Sequence, residues 1–338
     1  MSKTIGIGFI GAGENTRLRH LPGFAAIEGV RLVTVANRSL ESSRAVTEAF
    51  GVERVSPDWR AVVEDPEVDA VCIGTWPYLH AEASVTALAA GKHVLTEARM
   101  ASSLAEAKEM LSASRAHPGQ VAQVVPSPFT LDADSTVLEI LNSGRIGDIR
   151  EVFIDHSTGA YVDPDAPLTW RQDPAYSGHN MLTLGIYHEI IQRWFPDRME
   201  VIRAVGEVFT RERVHWESGR RVPVELPDCL HVLGRMERGA LLNYHFSGME
   251  PGPGRNEIKL AGSLGTLRLD VGKGDLFLSE TDGMEQPVDI PPGKRRGWRV
   301  EADFIESIRT GKPVERTSFA EGVRYMEFTD AVYDSLAG

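Results

Sequence analysis

The run Gly11-Ala12-Gly13-Glu14-Asn15-Thr16 has the residue types of a turn that cradles phosphate. The first glycine permits a tight turn, and the second lets the backbone approach a pyrophosphate that rests on the following helix N-terminus. Thr16 stands where the fingerprint has Gly or Ala, so the helix closes less tightly on its strand. Further on, Ala36-Asn37-Arg38-Ser39 holds no carboxylate to bind a ribose 2′-hydroxyl, whereas Arg38 and Ser39 can bind a 2′-phosphate. A nicotinamide dinucleotide is the expected ligand, NADP in preference to NAD. His179 and His188 have no acidic companion at ligand spacing, so no metal is expected there.

These residues need elements to hold them. Apolar runs at 4–10, 31–36, 70–74, 93–96 and 121–125 read as buried strands. They alternate with helical patterns at 18–27, 40–50, 80–91 and 103–116, which means βαβ units and a parallel sheet. Ser39 is the expected N-cap of the second helix and Gly51 its stop. After about residue 125 the period changes. A helix at 135–141 precedes alternating strands at 149–155, 201–209, 230–236, 240–246, 256–262 and 266–271, interrupted by a helix over 180–194. Period-two alternation predicts an open, mostly antiparallel sheet with one buried face. Helices at 302–309 and 319–336 close the chain. The expected fold is α/β: a Rossmann domain over 1–125 and an α+β substrate-binding and oligomerisation domain over 126–338.

The chain has 338 residues, 42% hydrophobic and 25% charged, enough for two domains with their own cores. A net charge of −12 argues against nucleic-acid and anionic-membrane partners. Cys72 and Cys229 sit in apolar runs and read as buried reduced thiols. The opening residues lead straight into a strand without a targeting pattern, and no apolar run reaches membrane-spanning length. A cytoplasmic protein is expected.

Several separated stretches resemble the glucose–fructose oxidoreductase, inositol dehydrogenase and MocA (Gfo/Idh/MocA) family across nearly the whole chain. They are GFIGAG with His20-Leu21-Pro22 after it, Gly74-Thr75-Trp76-Pro77-Tyr78-Leu79-His80, AGKHVLTE, SGRIGDIREV, TWRQDP and FIESIRTGKPV. The resemblance implies an NAD(P)-dependent dehydrogenase acting on a sugar, polyol or related ring, in a homodimer or homotetramer. It implies a substrate bound between the domains. It adds Thr75, Trp76, Pro77, His80 and Glu97 to Gly11, Gly13, Asn15, Thr16, Asn37, Arg38 and Ser39 as cofactor-binding residues.

The active-site signature departs from that family. Its Glu-Lys-Pro reads Glu97-Ala98-Arg99, so the catalytic lysine position is Ala98, with Arg99 able to supply charge but no titrating base. Its Asp-x-Gly-x-His reads Thr183-Leu184-Gly185-Ile186-Tyr187. An Asn-Arg pair of many relatives is lost at Pro126-Ser127-Pro128. Thr183 and Tyr187 share a helical face. Tyr187 is the expected proton donor or acceptor if nearby positive charge lowers its pKa from about 10. His188, His179 or Arg99 would tune it, Thr183 would position substrate, and Arg171 and His179 would contact it. Two other readings stay open: a redox-neutral lyase or hydrolase with tightly held NAD(P), and a ligand-binding protein on the same scaffold.

Overall fold

The computed structural model describes residues 4–281 and 283–337. They form two compact units. One comprises the residues up to Pro126 together with Arg299–Met326. The other comprises Ser127–Trp298 and the residues from Glu327 on. The expected boundary at 125/126 thus lies beside the observed one, but Arg299–Met326 returns to the first unit instead of staying in the second.

The first unit carries β1 (Ile5–Ile10), β2 (Val30–Ala36), β3 (Arg54–Val55), β4 (Ala70–Ile73), β5 (His93–Thr96) and β6 (Ala122–Val124). They pair in parallel in the order β3-β2-β1-β4-β5-β6. β1 and β4 are buried at every position, which is why they read as continuous apolar runs with no alternation. The order reverses between β1 and β4, and a parallel sheet leaves its ligand crevice at the carboxyl ends of such a pair.

The helix expected over 18–27 is instead a π-helical turn, Thr16–His20, running into a short α1 (Leu21–Ala25). Pro22 sits in the first turn of α1 and has no N–H for an i→i−4 bond, so a regular helix cannot run through. α2 (Leu40–Phe50) has the expected ends. Ser39 Oγ accepts from Ser42 N at 3.1 Å, and Gly51 takes φ +70°. α3 (Trp59–Glu64), α4 (His80–Ala89) and α5 (Leu104–Ala116) complete this part, α3 being an element the periodicity did not expose.

The second unit begins with α6 (Asp134–Asn142) and β7 (Ile149–Ser157). It continues through α7 (Pro174–Ser177) and α8 (Leu184–Trp194), then β8 (Met199–Glu207), β9 (Glu212–Val214), β10 (Arg221–Pro223), β11 (Cys229–Met236) and β12 (Leu241–Ser247). β13 (Arg255–Gly262), β14 (Gly265–Asp270), β15 (Asp275–Glu280) and β16 (Gln286–Val288) follow. The large sheet runs β16-β15-β14-β13-β7-β12-β11-β8, with β9 and β10 paired apart. Its pairs are antiparallel except β7 with β12, which are parallel. The sheet is therefore mixed but mostly antiparallel, as the alternation predicts. Its inner face (Ile154, Val232, Phe246, Ile258, Leu267) packs with Leu184, Tyr187, Ile190 and Ile191 of α8 in one core. α8 starts at Leu184, later than position 180. α9 (Val300–Thr310) and α10 (Phe319–Ala337) end the chain. Among the described residues no helix is long and apolar enough to cross a membrane.

Candidate functional site

The carboxyl ends of β1, β2 and β4 open on a cleft of about 430 Å³ in the first unit. Gly11, Ala12, Gly13, Arg17, Asn37, Arg38, Asp58, Gly74, Thr75, Trp76 and Tyr78 are among the residues that line it. Gly11 has φ +76°, and a Cβ there would lie 2.6 Å from Thr75 Cγ2. Thr16, the apparent defect of the fingerprint, is explained by its neighbour. It is buried, and a Cβ on Gly74 would lie 2.0 Å from Thr16 Oγ1 and 2.6 Å from the Gly11 carbonyl oxygen. The bare Gly74 thus makes the room that a glycine at position 16 would otherwise make. Gly74→Ala is expected to lower stability by about 1–3 kcal/mol through overpacking. Chemical denaturation checks this, with Thr16→Ala in the same chain recovering part of the loss.

Asn37 and Arg38, which follow β2, line one part of the cleft. Asn37 Oδ1 accepts from Ala12 N at 2.7 Å, and Asn37 N donates to Ser43 Oγ at 2.9 Å, so Asn37 braces the glycine turn. Arg38 is exposed, with its guanidinium carbon 4.7 Å from the Trp76 ring centroid. The Ser39 hydroxyl caps α2 and hydrogen-bonds Ser42 Oγ. Arg17, whose Nε donates to the Ala12 carbonyl at 3.0 Å, and Asp58, the N-cap of α3, line the cleft without having been expected.

Asn15, Glu97 and His80 act from behind the cleft. Asn15 Nδ2 donates to Glu97 Oε1. The same carboxylate oxygen lies 2.9 Å from His20 Nε2, whose Nδ1 lies 2.5 Å from Glu301 Oε1. Burial alone would push the His20 pKa down. The hydrogen bonds to Glu301 and Glu97, and their charges, overcome this and raise it to about 9. Burial would raise Glu97, but the His20 hydrogen bond and charge, with Asn15, hold it below the usual carboxylate value. A cationic His20 thus bridges two carboxylates from β5's end and α9. Gly23 makes room for this, since a Cβ there would meet the Glu301 carboxyl at 2.7 Å.

His80 is fully buried, with Nε2 3.0 Å from the Thr75 carbonyl and Nδ1 2.9 Å from the Arg99 carbonyl. It holds the two loops together instead of lining the cleft, and burial keeps its pKa down. Pro77 is buried and opens a short 3-10 turn, Pro77–Leu79. Arg99 is buried, and the Ala98–Arg99 peptide is cis.

In the second unit α8 and β7 bring together Thr183, Tyr187 and a residue that sequence reasoning missed, His156. His156 lies on the inner face of β7, in register with Phe246 of β12 on one side and Asn256 of β13 on the other. Thr183 Oγ1 is 3.0 Å from His156 Nδ1, and the His156 and Tyr187 ring centroids are 5.0 Å apart. Tyr187 Oη donates to Asn256 Oδ1, and Phe129, 40% exposed, stands 5.4 Å from the Tyr187 ring.

Tyr187 is fully buried, and burial raises its pKa, only partly offset by the Asn256 hydrogen bond. The expected lowering by positive charge is therefore corrected: Tyr187 is held as a neutral hydrogen-bond donor. His156 is half-buried, and burial lowers its pKa against the opposing charge of Asp155. It is the neutral imidazole of this cluster.

The remaining candidates lie elsewhere. His188 is fully buried, stacked on Phe328 at 3.7 Å with Nδ1 3.3 Å from Tyr244 Oη, which makes it a core residue and removes it from the proton-transfer set. His179 stacks on Tyr333 at 4.0 Å and pairs with Asp330 at 3.0 Å. Arg171 is exposed and lies over its neighbour Trp170. Neither contacts the His156 cluster through any of these interactions.

A dinucleotide-binding cleft at the switch point of a parallel sheet, joined to a second unit with an imidazole–tyrosine cluster, defines a Rossmann-type oxidoreductase. Residues 5–124 match the oxidoreductase family with an NAD-binding Rossmann fold known as Gfo/Idh/MocA, and residues 135–268 match the Gfo/Idh/MocA C-terminal domain. The chain is 31% identical to the dTDP-3,4-didehydro-2,6-dideoxy-α-D-glucose 3-reductase of Streptomyces violaceoruber, over 98% of this chain and 95% of that protein. It is 25% identical to the levoglucosan dehydrogenase of Pseudarthrobacter phenanthrenivorans, again over 98% and 95%. A solved levoglucosan dehydrogenase in complex with NADH and L-sorbose superimposes with a TM-score of 0.88 at 22% identity, covering 98% of this chain and 97% of that one. The chain belongs to the Gfo/Idh/MocA family of NAD-binding oxidoreductases.

Proposed function

We propose that this protein is an NADP-preferring oxidoreductase acting on a hydroxyl or carbonyl of a sugar, polyol or related cyclic compound, with His156 moving the proton. The observation that carries the reading is the neutral His156 tied to Thr183 at 3.0 Å and packed on Tyr187. The glycine cradle fits a dinucleotide, because side chains at Gly11 or Gly74 would fill it. The bound dinucleotide supplies or removes the hydride. The residues of the chain then have one proton to manage.

With Thr183 accepting from His156 Nδ1–H, the Nε2 lone pair is left for the substrate hydroxyl. In oxidation Nε2 takes that proton, and in reduction it returns it. Tyr187 and Asn256 hold the imidazole's surroundings, and the exposed Phe129 ring beside them offers an apolar surface to one face of a sugar ring. His156 thus replaces in function the lysine that Ala98 cannot supply. We read the protein as cytoplasmic and, on the family resemblance, as a homodimer or homotetramer acting on a small molecule.

NADP is favoured by Arg38 at the end of β2, where no acidic residue stands in the positions that follow the strand. Arg38→Ala is expected to weaken NADPH binding about tenfold, the scale of one charge-assisted phosphate contact, and to leave NADH nearly unchanged. Fluorescence titration with both dinucleotides checks this. Equal losses for both, or tighter NADH binding by the unaltered protein, would remove the NADP preference.

A further inference from the structure

The outer face of the second-unit sheet carries a cluster that the oxidoreductase chemistry does not use. The pleat puts Cys229 and His231 of β11 on the same face, and the register sets His231 directly opposite His245 of β12. The Cys229 sulfur and one ring nitrogen from each histidine all lie within 4.8 Å of one another. Cys229 Sγ is 3.8 Å from His245 Nε2, and the two imidazoles stack at 4.4 Å. Cys229 is half-exposed, unlike the buried thiol expected of it, whereas Cys72 is buried.

A second observation points to a cation. His245 Nδ1 lies 2.9 Å from Asp155 Oδ1, and Asp155 Oδ2 accepts from Arg255 Nη1 at 2.9 Å. With its Nδ1–H given to Asp155, His245 presents the Nε2 lone pair toward the Cys229 sulfur. Carboxylate–imidazole–metal is the usual arrangement behind a metal-binding histidine, because it fixes the tautomer and raises ligand basicity. His231 is exposed, so its ring is able to turn.

We propose that Cys229, His231 and His245 form a binding site for a zinc-class divalent metal ion, buttressed by Asp155 and with the fourth position open to water. One thiolate and two imidazoles are the donor set of Zn²⁺ and its neighbours, not of Mg²⁺ or Ca²⁺. Ordinary Zn–S and Zn–N bond lengths in a tetrahedron put the ligand atoms about 3.3–3.6 Å apart. Ligand atoms that lie within 4.8 Å of one another therefore have at most about 1.5 Å to close. On binding, the thiol proton leaves to solvent as the sulfur–metal bond forms. The ligands sit on two strands and the buttress on a third, which is why no linear ligand spacing showed them.

The test uses the full chain, free of any histidine tag, stripped with a chelator and titrated with Co²⁺. The expected result is a thiolate-to-cobalt charge-transfer band with strong visible bands, saturating at one ion per chain and abolished by Zn²⁺. Cys229→Ser loses the charge-transfer band, whereas Cys72→Ser keeps it. Asp155→Asn retains all three ligands and weakens binding about 10–100-fold, which keeps the test decisive if Cys229→Ser folds poorly. Absence of the band in the unaltered protein, or its persistence in Cys229→Ser, would overturn the proposal. So would unchanged affinity in Asp155→Asn.

Discussion

His156→Ala is expected to lower kcat for sugar or polyol oxidation by about 10²–10⁴-fold, the range for loss of a positioned general base. Dinucleotide affinity is expected to stay, because no cleft-lining residue is touched. Burial lowers the His156 pKa below its ordinary value, so the group is a free base across neutral pH. The acid limb of the kcat/KM profile in the oxidative direction therefore falls below that ordinary value, and the variant lacks this limb. His156 is half-buried, which leaves room for added imidazole to restore part of the rate. Tyr187→Phe is expected to cost much less, since Tyr187 is fully buried and only its hydrogen bond to Asn256 is lost. Near-normal turnover in His156→Ala would assign the proton to another residue. A larger loss in Tyr187→Phe than in His156→Ala would restore Tyr187 to that role.

His20→Gln is expected to destabilise the protein by about 3–5 kcal/mol, the usual cost of removing one partner of a buried charged set. The substitution takes away the cation lying between Glu97 and Glu301, both largely buried. Stability also becomes pH-dependent in a particular sense. The folded His20 pKa is raised from 6.5 to about 9. The folded state thus binds the proton more tightly than the unfolded chain. Its contribution is complete below the unfolded value of 6.5 and is lost as pH rises through about 9. The shift corresponds to about 3 kcal/mol. Urea unfolding at about pH 6 and about pH 10 checks this: the unaltered protein loses roughly that amount across the window, and His20→Gln does not. The network reaches the cofactor cleft through Asn15, which hydrogen-bonds Glu97 at the start of the π-helical turn. Loosened dinucleotide binding should accompany the lost stability.

What could be read from the sequence was what local physics encodes. The ends of α2 were legible because Ser39 caps it and Gly51 takes the left-handed conformation that stops it. The parallel sheet was legible because β1 and β4 are apolar on both faces, and the glycine cradle because backbone freedom is written in residue type. Elements without a clean period were not legible. β16 contains Pro287 at the sheet edge, and β3 spans only Arg54–Val55.

The site residues divide in the same way. Thr16 looked like a defect because its compensation, Gly74, lies on another strand. His156 was one polar residue in an alternating strand. Its meaning comes from Thr183 and Asn256, which the topology brings to it from α8 and β13. His188, adjacent in sequence to Tyr187, meets Phe328 and Tyr244 and not His156, because neighbouring positions on a helix face different directions. Glu97 and Asn15 were read from the family pattern as cofactor-binding residues, and the partners the structure gives them are each other and His20.

Net hydride transfer between a dinucleotide and a sugar or polyol is read out by incubating the purified protein with NADP⁺ and, in turn, a panel of polyols, pyranoses and anhydrosugars, while following reduced dinucleotide and carbonyl product together. Equal amounts of both are expected, with a higher rate for NADP⁺ than for NAD⁺. Product without any net change in the dinucleotide would contradict it in favour of redox-neutral chemistry, and dinucleotide binding without product across the panel would contradict it in favour of a ligand-binding protein.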